Sequence, residues 1–235
     1  MAQSSRVVFP IIITLSVQAL VSMAAVSVPV FMPAASEELY LKPSLVGLFV
    51  TLIYVGATLS APGSGAVINR LGPIRVSQVC LLLCALGSSM FYLASIPWMV
   101  LGALLIGLGY GPVTPASSHL LVRTTPPQVM AMVFSIKLGL LGIAMAFASF
   151  GTALFSAEWP HSAVLLVCIV FGSAAIGWNG VYLAEVARVV KPELAGLATG
   201  GSLFFTFCGV LFGLPIFSLL VDFTGSYSIG FLCTG

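Results

Sequence analysis

Seven stretches of this chain run for about 20 residues or more with almost no charge, and that pattern limits the fold more than any other feature. An α-helix of roughly 20 apolar residues crosses about 30 Å of hydrocarbon. The stretches fall at roughly 7–34, 44–68, 75–95, 98–121, 128–156, 162–187 and 195–221, with a partial eighth from about 226 to 235. Between them SEELYLKPS, NRLGPIR, SIP, RTTPP, SAEWPHS, ARVVKPE and DFTGSY supply proline, glycine, serine and charge, the residues that punctuate helices. Inside lipid a backbone must satisfy its own hydrogen bonds, which leaves helices or a closed barrel. Barrel strands alternate apolar and polar residues; these runs are continuous. The expected fold class is therefore all-α, a polytopic transmembrane helical bundle with about seven full spans plus a partial eighth. Composition agrees: 6% of residues are charged and 60% hydrophobic. Soluble domains carry about 25% charge.

The same features exclude several classes. Cys80, Cys84, Cys168, Cys208 and Cys233 all lie in apolar runs, without a CxxC pair or a Cys/His cluster. Neither a metal, a cofactor nor a disulfide framework is expected. A net charge of +2 is too small to point to nucleic acid. The opening MAQSSRVVFP leads into an apolar run too long for a cleavable signal peptide and reads as the first spanning helix. Basic residues set the orientation. With the N-terminus inside, Arg6, Arg70, Arg75, Arg123, Lys137, Arg188 and Lys191 fall on or toward the cytoplasmic side and only Lys42 falls outside, seven of eight. The expectation is an integral protein of the plasma (inner) membrane with a cytoplasmic N-terminus.

Residues 63–76, GSGAVINRLGPIRV, concentrate turn residues and arginine in a chain that otherwise avoids them. Gly63 and Gly65 remove side chains where a second helix can pack close. Gly72 and Pro73 turn the chain into the next helix. This stretch resembles the signature loop between helices two and three of the major facilitator superfamily, Gly-x-x-x-Asp-Arg-x-Gly-x-x-Arg/Lys, carried here by Gly65, Asn69, Arg70, Gly72 and Arg75. IGLGYGPVTPASSHLL resembles a glycine-rich fourth helix of that family, and RTTPPQVMAMVFSIK the loop into a fifth. GWNGVYLAEVAR, GLATGG and LPIFSLLVDFTGSYSIGF resemble helices ten to twelve in its cyanate-type, organic-anion branch.

The resemblance implies a permease that moves a small solute by alternating access. It also implies that the signature loop latches the cytoplasmic gate near the N-terminus of helix eleven. Two departures stand out. Asn69 replaces the family's aspartate, so it can accept a hydrogen bond there but carries no charge against the helix dipole. The family has twelve helices, and this chain has room for about eight. The expected organisation is an incomplete major facilitator fold joined near residue 137. Residues 1–137 resemble helices one to early five, and 138–235 resemble helices nine to twelve, the last incomplete.

Few polar residues lie within the spans. Lys137 sits about nine residues into its run, roughly 13 Å along the axis. It is either a cavity cation for an anionic substrate or a lysine snorkelling to the interface. Tyr54, Trp178, Asn179 and Tyr182 are the other candidate substrate contacts, each with a plain packing alternative. Glu185 and Arg188, three apart, form a local helix pair or serve proton coupling. His119, near the inner end of its span, is a hydrogen-bonded interfacial residue or a titratable switch. Asp222, with Thr224 and Gly225, reads as a helix end. No catalytic constellation is visible, so an enzyme is not expected. Three other readings stay open: an inactive fragment, a subunit that needs a partner or a homo-oligomer, and a seven-helix receptor. The partners expected for the permease are a small molecule, protons and the lipid bilayer.

Overall fold

The computed structural model describes residues 2–38, 44–142 and 179–225. They form helices and turns, with no strand among the described residues. Helix α1 spans Ala2–Glu38, α2 Ser44–Ser60, α3 Ser64–Leu71, α4 Pro73–Phe91 and α5 Ile96–Thr124. A 3-10 turn at Pro127–Val129 leads into α6, helical over 130–142. Helix α7 covers 179–189, and a second 3-10 turn at Pro192–Leu194 opens α8, Ala195–Thr224.

Four helical stretches are long and apolar enough to cross a membrane: Val8–Pro29, Pro73–Phe91, Ile96–Thr124 and Pro192–Gly213. A fifth arises if Gly47–Ser60 and Ser64–Leu71 count as one span, bent by 61°. This corrects the expected second span, which is not one straight helix over 44–68. Pro62 supplies no N–H, and its ring opposes a straight continuation. The chain turns through Ala61, Pro62 and Gly63 before α3 resumes. Most of the signature stretch is therefore short helix rather than loop. The expected fifth and sixth spans are seen only at 130–142 and 179–189; residues 143–178, the stub 226–235, Lys42, Cys168, Cys233 and Trp178 lie outside the described residues.

Glycines set how closely α5 meets its neighbours. Gly56 of α2 lies against Gly107, where an added Cβ would stand 2.9–3.0 Å from the other's Cα; Gly87 of α4 lies against Gly102, where it would stand 2.6 Å from the other's carbonyl oxygen. Small residues at crossings are how membrane helices gain packing contact. Around these crossings α1, α2, α4 and α5 bury Val21, Phe49, Ile53, Cys84, Phe91 and Ile106. A second cluster ties α5 to α6 and α7 through Leu121, Phe134, Leu138 and Leu183. The outer faces carry exposed large apolar residues, Leu82, Leu86, Phe205 and Phe212 among them, as a surface in lipid should.

Candidate functional site

Helices from both ends of the chain enclose a cavity of about 330 Å³. Gln18 of α1, Tyr54 of α2, and Tyr110 and Thr114 of α5 form one side of its wall. Leu138 and Leu141 of α6, Asn179 and Leu183 of α7, and Leu203, Thr206, Phe207 and Val210 of α8 form the other. Three rings meet in the wall. Tyr54 and Tyr110 are 6.3 Å apart edge to face, and Phe207 lies 6.1 Å from the first and 5.8 Å from the second. Such spacings fall within the range where aromatic quadrupoles attract. The polar lining groups among the described residues are amides and hydroxyls, with no charged side chain.

Lys137 is next to the wall without being part of it. It is 2% exposed, and its Nζ donates to Ser117 Oγ at 2.5 Å. Its chain neighbour Leu138 and, one turn before Ser117, Thr114 do line the cavity. No carboxylate among the described residues pairs with it; the one ion pair there is Arg188 with Glu185. A buried ammonium with a single hydroxyl partner leaves most of its charge uncompensated.

The other sequence candidates divide. Tyr54 and Asn179 are brought together in the wall. Tyr182, three residues on, is 44% exposed, and its hydroxyl hydrogen-bonds Ser202 of α8 at 2.7 Å. Trp178 lies outside the described residues. Glu185 and Arg188 form a 2.6 Å pair on an exposed face, both side chains more than half exposed (56% and 64%). Gln18, Tyr110, Thr114 and Phe207 were not legible as site residues in the sequence. A lone amide such as Gln18 in an apolar run was the available signal, because a polar group in lipid needs a partner.

The signature stretch builds a contact at one end of the bundle. Gly65 of α3 lies directly under Leu197 of α8, where a Cβ would stand 2.6 Å from the Leu197 Cα. Gly200 faces the Ala61 carbonyl and Ser64 Oγ, and Gly196 faces Ile68 and His119. His119 is buried there, and its Nδ1 has no partner among the described residues. Asn69, Arg70 and Arg75 point outward and are exposed. Asn69 makes no side-chain hydrogen bond among the described residues. The α3 contact with α8 is made by glycines and Ile68, not by the polar signature residues. Gly72 has φ 84°, a conformation open to glycine, and its N–H closes α3 on the Ile68 carbonyl.

The Major Facilitator Superfamily model matches residues 14–184, a stretch that contains α3, the α5 glycines and much of the cavity wall. The chain belongs to the major facilitator superfamily. It is thus an integral membrane protein, as its apolar helices indicate. The chain is 30% identical over 154 residues to the "Multidrug resistance protein MdtG" of Escherichia fergusonii, covering 64% of this chain and 36% of that relative. Over 79 residues it is 35% identical to the "Uncharacterized MFS-type transporter YhhS" of Salmonella enteritidis PT4, covering 33% of this chain and 19% of that protein. The chain thus spans about a third or less of the length of these two major facilitator relatives. No solved structure matches.

Proposed function

We propose that this major facilitator chain is a secondary permease for a small organic anion, working by alternating access at the central cavity. The observation that carries the reading is the cavity itself: about 330 Å³, walled from both 1–137 and 138–235, beside a buried lysine with no carboxylate partner among the described residues. Transport sites of this kind lie between two units that rock against each other. The anion supplies the counter-charge for Lys137, and the ring wall of Tyr54, Tyr110 and Phe207 takes an apolar or aromatic body. Asn179 serves as a polar contact, and Trp178 and Tyr182 as residues flanking the same helix. Gly65, Asn69, Arg70, Gly72 and Arg75 belong to the cytoplasmic gate in this reading, with α3 closing on α8. The N-terminus is cytoplasmic and the membrane is the inner one. The exposed Glu185–Arg188 pair supports a local helix role over proton coupling.

A second reading has one observation in its favour. The described residues of the wall carry no charged side chain, which suits an uncharged amphipathic solute, and one relative is named a multidrug resistance protein.

Uptake of radiolabelled carboxylates into proteoliposomes under an imposed proton gradient separates these. The expected result is saturable uptake that falls at least about tenfold in Lys137→Ala, the size of one charge-assisted hydrogen bond. Equal saturable uptake by both proteins removes the counter-ion role of Lys137 and keeps the anion as the solute. Uptake no better than empty vesicles, from folded protein, favours an inactive fragment or a subunit that needs a partner.

A further inference from the structure

The 61° bend between α2 and α3 takes α3 off the line of α2. Beside it lies a groove of about 280 Å³ that shares no lining residue with the central cavity. Val67 and Leu71 of α3 line it, with Val76, Val79 and Leu83 of α4, and α2 and α5 complete it. Val67, Leu71 and Val79 are 45–47% exposed, so the groove opens outward. In a membrane protein that side faces lipid.

Two cations stand at one end of this groove. Arg70 follows Val67 by three residues on α3, and Arg75 precedes Val79 by four on α4. Residues three or four apart share a helix face, so both arginines belong to the groove faces of their helices, on either side of the Gly72 turn. Both are exposed, and neither has an ion-pair partner among the described residues. Helices α3 and α4 contain no acidic residue, since Asn69 stands where the signature has aspartate. We infer that this groove binds an anionic phospholipid: Arg70 and Arg75 hold the headgroup phosphate, and one acyl chain lies between α3 and α4. Guanidinium groups suit phosphate oxygens in charge and geometry. From Arg75 to Leu83 helix α4 rises about 12 Å, close to the roughly 15 Å of one leaflet's hydrocarbon. A chain filling the groove therefore begins at headgroup depth, where the arginines are. A choline lipid offers the same phosphate and chains, but the two arginines repel its cation. The inference does not depend on what the central cavity carries.

Native mass spectrometry of the full chain in detergent tests this, with dioleoylphosphatidylglycerol and dioleoylphosphatidylcholine as probes that differ only in headgroup. Wild-type protein is expected to bind the glycerol lipid about thirtyfold more tightly, roughly fivefold for each basic residue. Arg70→Gln/Arg75→Gln is expected to remove that preference and keep the binding of the choline lipid. Val79→Trp fills the groove and leaves both charges, so it is expected to weaken both lipids. Arg188→Gln/Lys191→Gln removes exposed cations outside the groove and is expected to keep the preference. Equal affinity for the two lipids in wild-type protein overturns the proposal. A preference lost equally in Arg188→Gln/Lys191→Gln overturns it as well, because the attraction then belongs to the basic surface as a whole. Binding undiminished in folded Val79→Trp protein removes the acyl chain from the groove and overturns it too. A lipid-free dimer that Val79→Trp dissociates would assign the groove to a second copy of the chain instead.

Discussion

Gly65→Ala is the substitution for which the structure predicts most. A Cβ added at Gly65 would stand 2.6 Å from Leu197 Cα, 2.7 Å from Leu197 Cβ and 2.8 Å from Leu197 N. Carbon atoms in favourable contact sit about 3.5–4.0 Å apart. The shortfall is therefore about 1 Å, and two of the three obstructing atoms are backbone, which no rotamer change can move. Helix α8 must step away from α3. Overpacking of this kind costs about 1–3 kcal/mol, which shifts an opening equilibrium about 5- to 150-fold. Ser64 reports the opening well, because it is 1% exposed and lies under Gly200. In a Ser64→Cys background, maleimide labelling at position 64, located by peptide mass spectrometry, is expected to rise by that factor when Gly65→Ala is added. Cys80 and Cys84 are buried and Cys208 is partly exposed, so the peptide assignment is needed. Gly201→Ala is the control on the same α8, since a Cβ there meets nothing within 4 Å. Labelling that is unchanged by Gly65→Ala, or raised equally by Gly201→Ala, would refute the reasoning that backbone proximity holds α3 to α8.

Two further outcomes follow from local geometry. Gly72→Ala places a side chain on a residue at φ 84°. It should lower stability by about 1–3 kcal/mol, read as an earlier thermal melt in detergent, even though nothing lies within 4 Å of the new Cβ. Arg188→Gln breaks an ion pair whose members are both more than half exposed. Such pairs are screened by solvent, so the melting temperature should not move, and uptake should keep its dependence on the imposed proton gradient. Loss of that dependence would restore the proton-coupling reading of Glu185.

The sequence carried much of this architecture, and where it named no partner the cause was tertiary. The apolar runs marked α1, α4, α5 and α8, and Gly72-Pro73 marked the start of α4, because hydropathy and turn chemistry are local properties. The bend between α2 and α3 was also written locally, in Pro62-Gly63. The surrounding residues are apolar enough that a hydropathy run passes straight through them. Gly65 was readable as a close-packing position, while its partner Leu197 lies 132 residues further along the chain and cannot be named from spacing. Gln18 shows the same limit. Its bond to Thr114 joins residues 96 apart, so one amide in an apolar run signals that a partner exists without saying which. Asn69 failed in the opposite direction. A motif position allowed a hydrogen bond to α8, but Asn69 is exposed and makes no side-chain hydrogen bond among the described residues.

Helix α8 links the two ends of this account. Near its start Gly196, Leu197 and Gly200 make the contact with α3 and His119; further along Leu203, Thr206, Phe207 and Val210 wall the cavity. Leu197 and Phe207 are ten residues apart, about 15 Å of helix rise. A continuous helix of that length transmits a tilt at one end to the other. Parting α8 from α3 therefore moves Phe207 against Tyr54 and Tyr110, whose ring contacts of 5.8–6.3 Å leave little slack. Helix α5 opposes this motion from the other side, since it presents His119 to Gly196 as well as Tyr110 to Phe207. The α3–α8 contact and the cavity wall are thus joined through α5 and α8. In the proposed permease, this link is what would let occupancy of the cavity bias which end is closed.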